Sequence, residues 1–141
     1  RTGDPFAMLQ ELGLVAIQER VTHRILRGIR SVSAPDATLA TMTIDAVSFR
    51  LPGQEVRHFE VEIEHMAEGT ASADTSAQVI RQISRELLAT FTGKLRPWSI
   101  PKLAFGLKLE SLLREGRLER MTRGDGTLLP EAYDLIAATM S

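Results

Sequence analysis

Not one of the 141 residues is cysteine. That excludes disulfides, thiol nucleophiles, Cys-ligated zinc and iron–sulfur clusters. It leaves the redox compartment open, because a chain without thiols tolerates either poise. A surplus of one charge is missing too: 17 Lys and Arg stand against 18 Asp and Glu, a formal net charge of −1. Nonspecific nucleic-acid binding needs a positive surplus, so nucleic acid is not an expected partner. No run of 18 apolar residues occurs, so no spanning helix and no membrane partner are expected. No signal-peptide pattern follows Arg1, and the expected compartment is the cytoplasm. There is no Walker loop and no GxGxxG. Because the first residue is Arg rather than Met, the chain is expected to be trimmed, or one piece of something longer with strands or a domain upstream.

The composition that remains is that of a globular chain, with 43% hydrophobic and 25% charged residues in one domain's worth of length. Arg1 to Pro5 has turn chemistry, and Phe6 to Leu12 suits one short helix. Val15 to Ile29 reads as a strand, because so many of its apolar residues are β-branched. Its opposite parity carries Gln18, Arg20, Thr22 and Arg24, and Gly28 is expected to end or bend it. Thr38 to Phe49 alternates: Ala40, Met42, Ile44 and Ala46 on one face, Thr41, Thr43 and Asp45 on the other. Leu51-Pro52-Gly53-Gln54 is a turn, and Arg57 to Glu64 alternates more sharply, which predicts an antiparallel hairpin. There Phe59, Val61 and Ile63 point one way, and His58, Glu60, Glu62 and Glu64 the other.

The stretch Glu68 to Ser76 reads as a loop. Thr75 and Gln78 have capping-box spacing, and Val79, Ile80, Ile83, Leu87 and Phe91 form the stripe of a helix stopped near Gly93. Lys102 to Leu109 suggests a short strand, Leu109 to Glu115 a helix, and Pro130 to Met140 a last helix with Pro in its first turn. Strands followed by helices make the expected class α+β.

Three carboxylates on one strand face are the unusual feature. Neighbours at i and i+2 lie roughly 6.6 Å apart along a strand. Two unit charges at that distance repel by about 0.6 kcal/mol in water and roughly 2.5 kcal/mol at an effective dielectric near 20. If enclosed, Glu60, Glu62 and Glu64 require positive charge nearby. Arg20 and Arg24 on the neighbouring strand can supply it. So can a hard divalent cation, Mg²⁺ or Mn²⁺, which prefers oxygen ligands. Asp45, on the polar face of the intervening strand, completes the candidate metal set. If all polar faces look inward, the apolar faces look outward against the helix. Such an interior suits a polyanion held with its metal, since Arg reads phosphate bidentately. The bland alternative is a solvated strand face, which also shows alternating Glu. His58 shares the acidic face and could reach a metal, although a solvent-facing side chain is the simpler expectation. Gly124-Asp125-Gly126 is a turn, not a phosphate cradle.

In order, these segments resemble the CYTH superfamily, the triphosphate tunnel metalloenzymes. Leu12-Gly13-Leu14 with Arg20 and Arg24 is similar to the family's LGL…R…R segment. Met42-Thr43-Ile44-Asp45 resembles its aliphatic–Asp strand, and Phe59 to Glu64 its later acidic strand. Leu95-Arg96-Pro97 through Lys102 to Leu107 resembles its LRP…SK…RG segment. The resemblance covers about residues 12–110. It implies antiparallel strands forming part of a tunnel-like β-barrel with a charged interior and helices packed outside. It also implies one domain over 1–141, incomplete at its N-terminus. In function it implies a metal-dependent triphosphate or polyphosphate phosphohydrolase. Arg20, Arg24 and Lys102 would bind phosphate, and Glu60, Glu62, Glu64 and Asp45 would hold Mg²⁺ or Mn²⁺. The departures are specific. The ExExK hallmark is absent, Phe105 stands where an Arg is common, and Pro101 interrupts the Ser–Lys pair. A noncatalytic polyanion-binding module and a plain interaction domain are the alternatives.

Overall fold

The structure, a computed structural model, describes residues 7–8, 11–13, 18–30, 38–65 and 73–140. Its sheet is organised by the turn at Pro52-Gly53. Pro presets φ at the first central position, and Gly53 takes φ +74°, a value that favours glycine at the second. The turn joins β2 (Thr38–Leu51) to β3 (Gln54–His65), and β1 (Glu19–Arg30) lies on the other side of β2. The sheet is antiparallel, in the order β1-β2-β3. It is open among the described residues, so the α+β class holds, with three strands and three helices. Gly28 neither ends nor bends β1 out of the sheet; the strand runs on to Arg30. The expected helix at Phe6–Leu12 and the first residues of the expected strand fall largely outside the described residues.

The chain divides into two compact units. The first takes Arg1–Val21, Ser48–His58 and Ile100–Ser141. It contains α2 (Lys102–Arg114), a 3-10 turn at Glu119–Met121 and α3 (Pro130–Met140). Its core gathers Phe49, Leu51 and Val56 with Phe105, Leu109, Leu112, Leu118, Leu128, Ala132 and Ile136. Phe49 and Phe105 meet edge to face, with ring centroids 5.3 Å apart. Helix α2 corrects the strand expected at Lys102–Leu109. Its first helical bond runs from the Phe105 N–H to the Pro101 carbonyl, 2.9 Å. Its buried side chains are Phe105, Leu109 and Leu112, spaced at i, i+4 and i+7.

The second unit takes Thr22–Val47 and Phe59–Ser99. It contains α1 (Ala73–Thr90), which begins two residues before Thr75, so residues 73–76 are helix rather than loop. Val79, Ile80, Ile83 and Leu87 are half-buried, as the stripe predicted, whereas Phe91, the stripe's last member, lies beyond the helix end and is exposed. Buried Ser76 ties the helix to β2, its hydroxyl donating to the Leu39 carbonyl at 2.9 Å. After α1 the chain turns at Gly93, where the Lys94 and Leu95 N–H groups both donate to the Phe91 carbonyl.

Candidate functional site

Which face of a strand is covered can be read residue by residue. In the second unit, β2 buries Thr43, Asp45 and Val47 and exposes Ile44. Asp45 is 1% exposed and Thr43 7%. On β3, Glu60 and Glu62 are half-buried, while Phe59 is 54% exposed and Val61 36%. From Thr43 to Val47 and from Phe59 to Glu62 the polar residues thus take the more covered positions, whereas Ala40 is buried on the opposite parity of β2, Ile63 is half-buried and Glu64 is exposed.

Burying a carboxylate is costly unless charge and hydrogen bonds compensate it. Arg24 of β1 does this for Asp45 with two parallel bonds: Nε to Oδ1 at 2.8 Å and Nη2 to Oδ2 at 2.9 Å. The two members differ in environment, since the Arg24 side chain is half exposed and that of Asp45 is inside. The hydrogen bond to Asp45, and next the carboxylate's charge, raise the Arg24 pKa above its ordinary value; Glu62 and Glu64 add to the shift. Arg24 therefore keeps its charge at every ordinary pH. A guanidinium has five N–H donors, and Asp45 uses only part of that set. The unit thus brings together Arg24, Asp45, Glu62 and Glu64 of the sequence-predicted residues, with Glu60 on the same strand.

Carboxylate oxygens are the right donor chemistry for Mg²⁺ or Mn²⁺. Both Asp45 oxygens, however, already accept from Arg24, so Asp45 serves here as the guanidinium's anchor. Among the described residues no three His, Asp or Glu side chains converge as a metal site. By chemistry, Glu60, Glu62, Glu64 and Asp45 all offer oxygens that suit a hard cation, and each Asp45 oxygen that accepts from Arg24 keeps a second lone pair.

Arg20 and Lys102 belong to the first unit. Arg20 is exposed and donates through Nη1 to Gln18 Oε1 at 2.6 Å. Lys102 is half-buried at the first position of α2. His58 corrects both expectations for it. It is buried, its ring meets Phe105 edge to face at 4.7 Å, and its Nδ1 lies 2.8 Å from the Tyr133 hydroxyl. It is a core histidine held between β3 and two helices of its own unit.

The first unit also has an open groove of about 580 Å³ bordered by Arg57, Glu119, Arg123 and Asp125. Gly124-Asp125-Gly126 is the predicted turn. Asp125 Oδ1 accepts from the Thr127 hydroxyl at 2.6 Å and from its N–H at 3.0 Å. These bonds, the side-chain one first, hold the Asp125 carboxyl below its ordinary pKa. The Arg57 N–H closes the turn onto β3 through the Gly126 carbonyl at 2.8 Å. The groove mixes both signs of charge, and its polar groups bond mainly to one another.

One residue of the covered polar face was not singled out from the sequence as a site residue. Thr43 Oγ1 is buried and, among the described residues, makes no hydrogen bond. Only its parity with Asp45 could have pointed to it.

No family model matches the chain, and neither a curated protein nor a solved structure does.

Proposed function

We propose that this chain is part of a triphosphate- or polyphosphate-handling domain of the CYTH kind, a metal-dependent phosphohydrolase. The polar face of the sheet would form part of the wall of a tunnel-like barrel. The observation that carries this is a charged pair in the second unit: Asp45 is buried and bidentate to Arg24 while Phe59 and Val61 lie open. A sheet that merely solvates its charges has no reason to bury a carboxylate and expose a phenylalanine.

In this reading Arg24, steadied by Asp45, offers its remaining N–H donors to phosphate oxygens. Arg20 and Lys102 are the further phosphate-binding groups. Glu60, Glu62 and Glu64, with Asp45, would hold Mg²⁺ or Mn²⁺. When bound, the cation supplies neutralisation of phosphate charge. The chain's own part in hydrolysis is positioning and electrostatic stabilisation of an in-line attack by water. The proposed partners are the polyphosphate ligand and its cation, with neither nucleic acid nor membrane; the proposed compartment is the cytoplasm. No described helix is long and apolar enough to cross a membrane.

The engagement of both Asp45 oxygens by Arg24 favours a second reading, a noncatalytic polyanion-binding module. Phosphate release from tripolyphosphate and ATP, with and without Mn²⁺, separates the two. Metal-dependent release that disappears in Glu62→Ala supports hydrolysis. A rise in melting temperature with tripolyphosphate but no release supports binding alone. If Mn²⁺ and tripolyphosphate, singly or together, change neither quantity, both readings fail.

A further inference from the structure

We infer that the Thr43 hydroxyl is a ligand-binding group of this site, donating its proton to an oxygen of the bound triphosphate or polyphosphate. The inference rests on the proposed function and adds to it a residue that the sequence resemblance did not supply.

Thr43 lies two residues before Asp45 on β2, and strand alternation puts both side chains on the same face. Both are more than nine-tenths buried. Asp45 is satisfied by Arg24, whereas Thr43 Oγ1 has no hydrogen bond among the described residues. A buried hydroxyl without a partner costs folding free energy, and valine would fill the same space without that cost. Threonine at this position is therefore unfavourable in the ligand-free protein unless something else uses its hydroxyl.

The neighbouring groups identify what that is. Asp45, Glu62 and Glu64 are acceptors only when ionised, so the face is rich in acceptors. Its cation is Arg24, on the adjacent strand. A phosphate chain entering beside Arg24, with its charge neutralised by a divalent cation, brings oxygens that lack a donor on the β2 side. The Thr43 hydroxyl is a donor at that place.

The test is calorimetric binding of inorganic tripolyphosphate in the presence of Mn²⁺ to the wild-type chain, Thr43→Val and Thr43→Ser. Melting temperatures without ligand are measured alongside. Thr43→Val is expected to bind about ten- to a hundredfold more weakly, the loss of one hydrogen bond to a charged group. Its ligand-free melting temperature is expected to equal or exceed the wild type's, and Thr43→Ser is expected to bind close to the wild type. Wild-type affinity in Thr43→Val overturns the inference and leaves the proposed function standing. A lowered ligand-free melting temperature in Thr43→Val, or failure of that variant to fold, also overturns it, because the hydroxyl then has a structural partner. Absence of tripolyphosphate binding by the wild type overturns the proposed function, and the inference with it.

Discussion

Asp45 and Arg24 are bonded to each other, but they do not contribute alike. Asp45 is inside and Arg24 is half in water. Removing Arg24 takes two donors from a carboxylate that cannot reach solvent. Changing Asp45 lets the arginine turn outward and hydrate. Arg24→Ala is therefore expected to be the more destabilising of the two changes, because it leaves a buried carboxylate without its cation. Asp45→Asn is expected to cost about 1 kcal/mol. Urea unfolding midpoints of the two variants check this, and a cost for Asp45→Asn at or above that for Arg24→Ala would contradict it. The same asymmetry suits a binding site. Under the proposed function, a long, half-exposed cation anchored by a buried anion would be oriented before a phosphate arrives, which would reduce the entropic cost of ordering it on binding.

At the scale of elements, Lys102 to Leu109 is the instructive case. Leu103, Phe105, Leu107 and Leu109 alternate as a strand would, and a short apolar run does not distinguish the two periods. In the structure Leu103 and Leu107 are exposed, while Phe105, Leu109 and Leu112 are buried. Helical spacing prevails because the rings of Phe49 and His58 receive Phe105 edge to face, and Leu109 and Leu112 follow it on the same helix face. The two periodicities predict different mutational patterns. Phe105→Ala is expected to cost about 4 kcal/mol, and Leu107→Ala less than about 1 kcal/mol. Equal costs, measured by thermal or urea unfolding, would favour the strand. The hairpin presented no such ambiguity. Pro52-Gly53 specifies its turn locally, and the flanking alternation has one period throughout.

For the molecule as a whole, the buried apolar residues are unevenly shared. The first unit holds the core from Phe49 to Ile136, whereas the second buries Ala40 and Val47. In α1 the stripe is half-buried, and Ser76 is the fully buried side chain among its described residues. Local opening costs least where little apolar surface is buried. Amide hydrogen exchange is thus expected to be at least about tenfold slower in the middle of α2 than in the middle of α1. Equal protection of the two helices would show that the second unit has cohesion beyond its buried residues. The Arg24–Asp45 pair lies in this more weakly packed unit.

Local rules acting on neighbouring residues were enough for the α+β class, the hairpin and its turn, the stripe of α1, and the helix beginning at Pro130. They also put Arg20, Arg24, Asp45, Glu60, Glu62 and Glu64 on the polar parities of their strands, because alternation assigns parity without reference to the rest of the chain. They could not say which parity is covered, since an alternating strand reads the same from either side. Contacts between elements decided that. Asp45 is buried because Arg24 reaches it from another strand, and His58 became part of a core because Phe105 and Tyr133 come to it from helices far away in sequence.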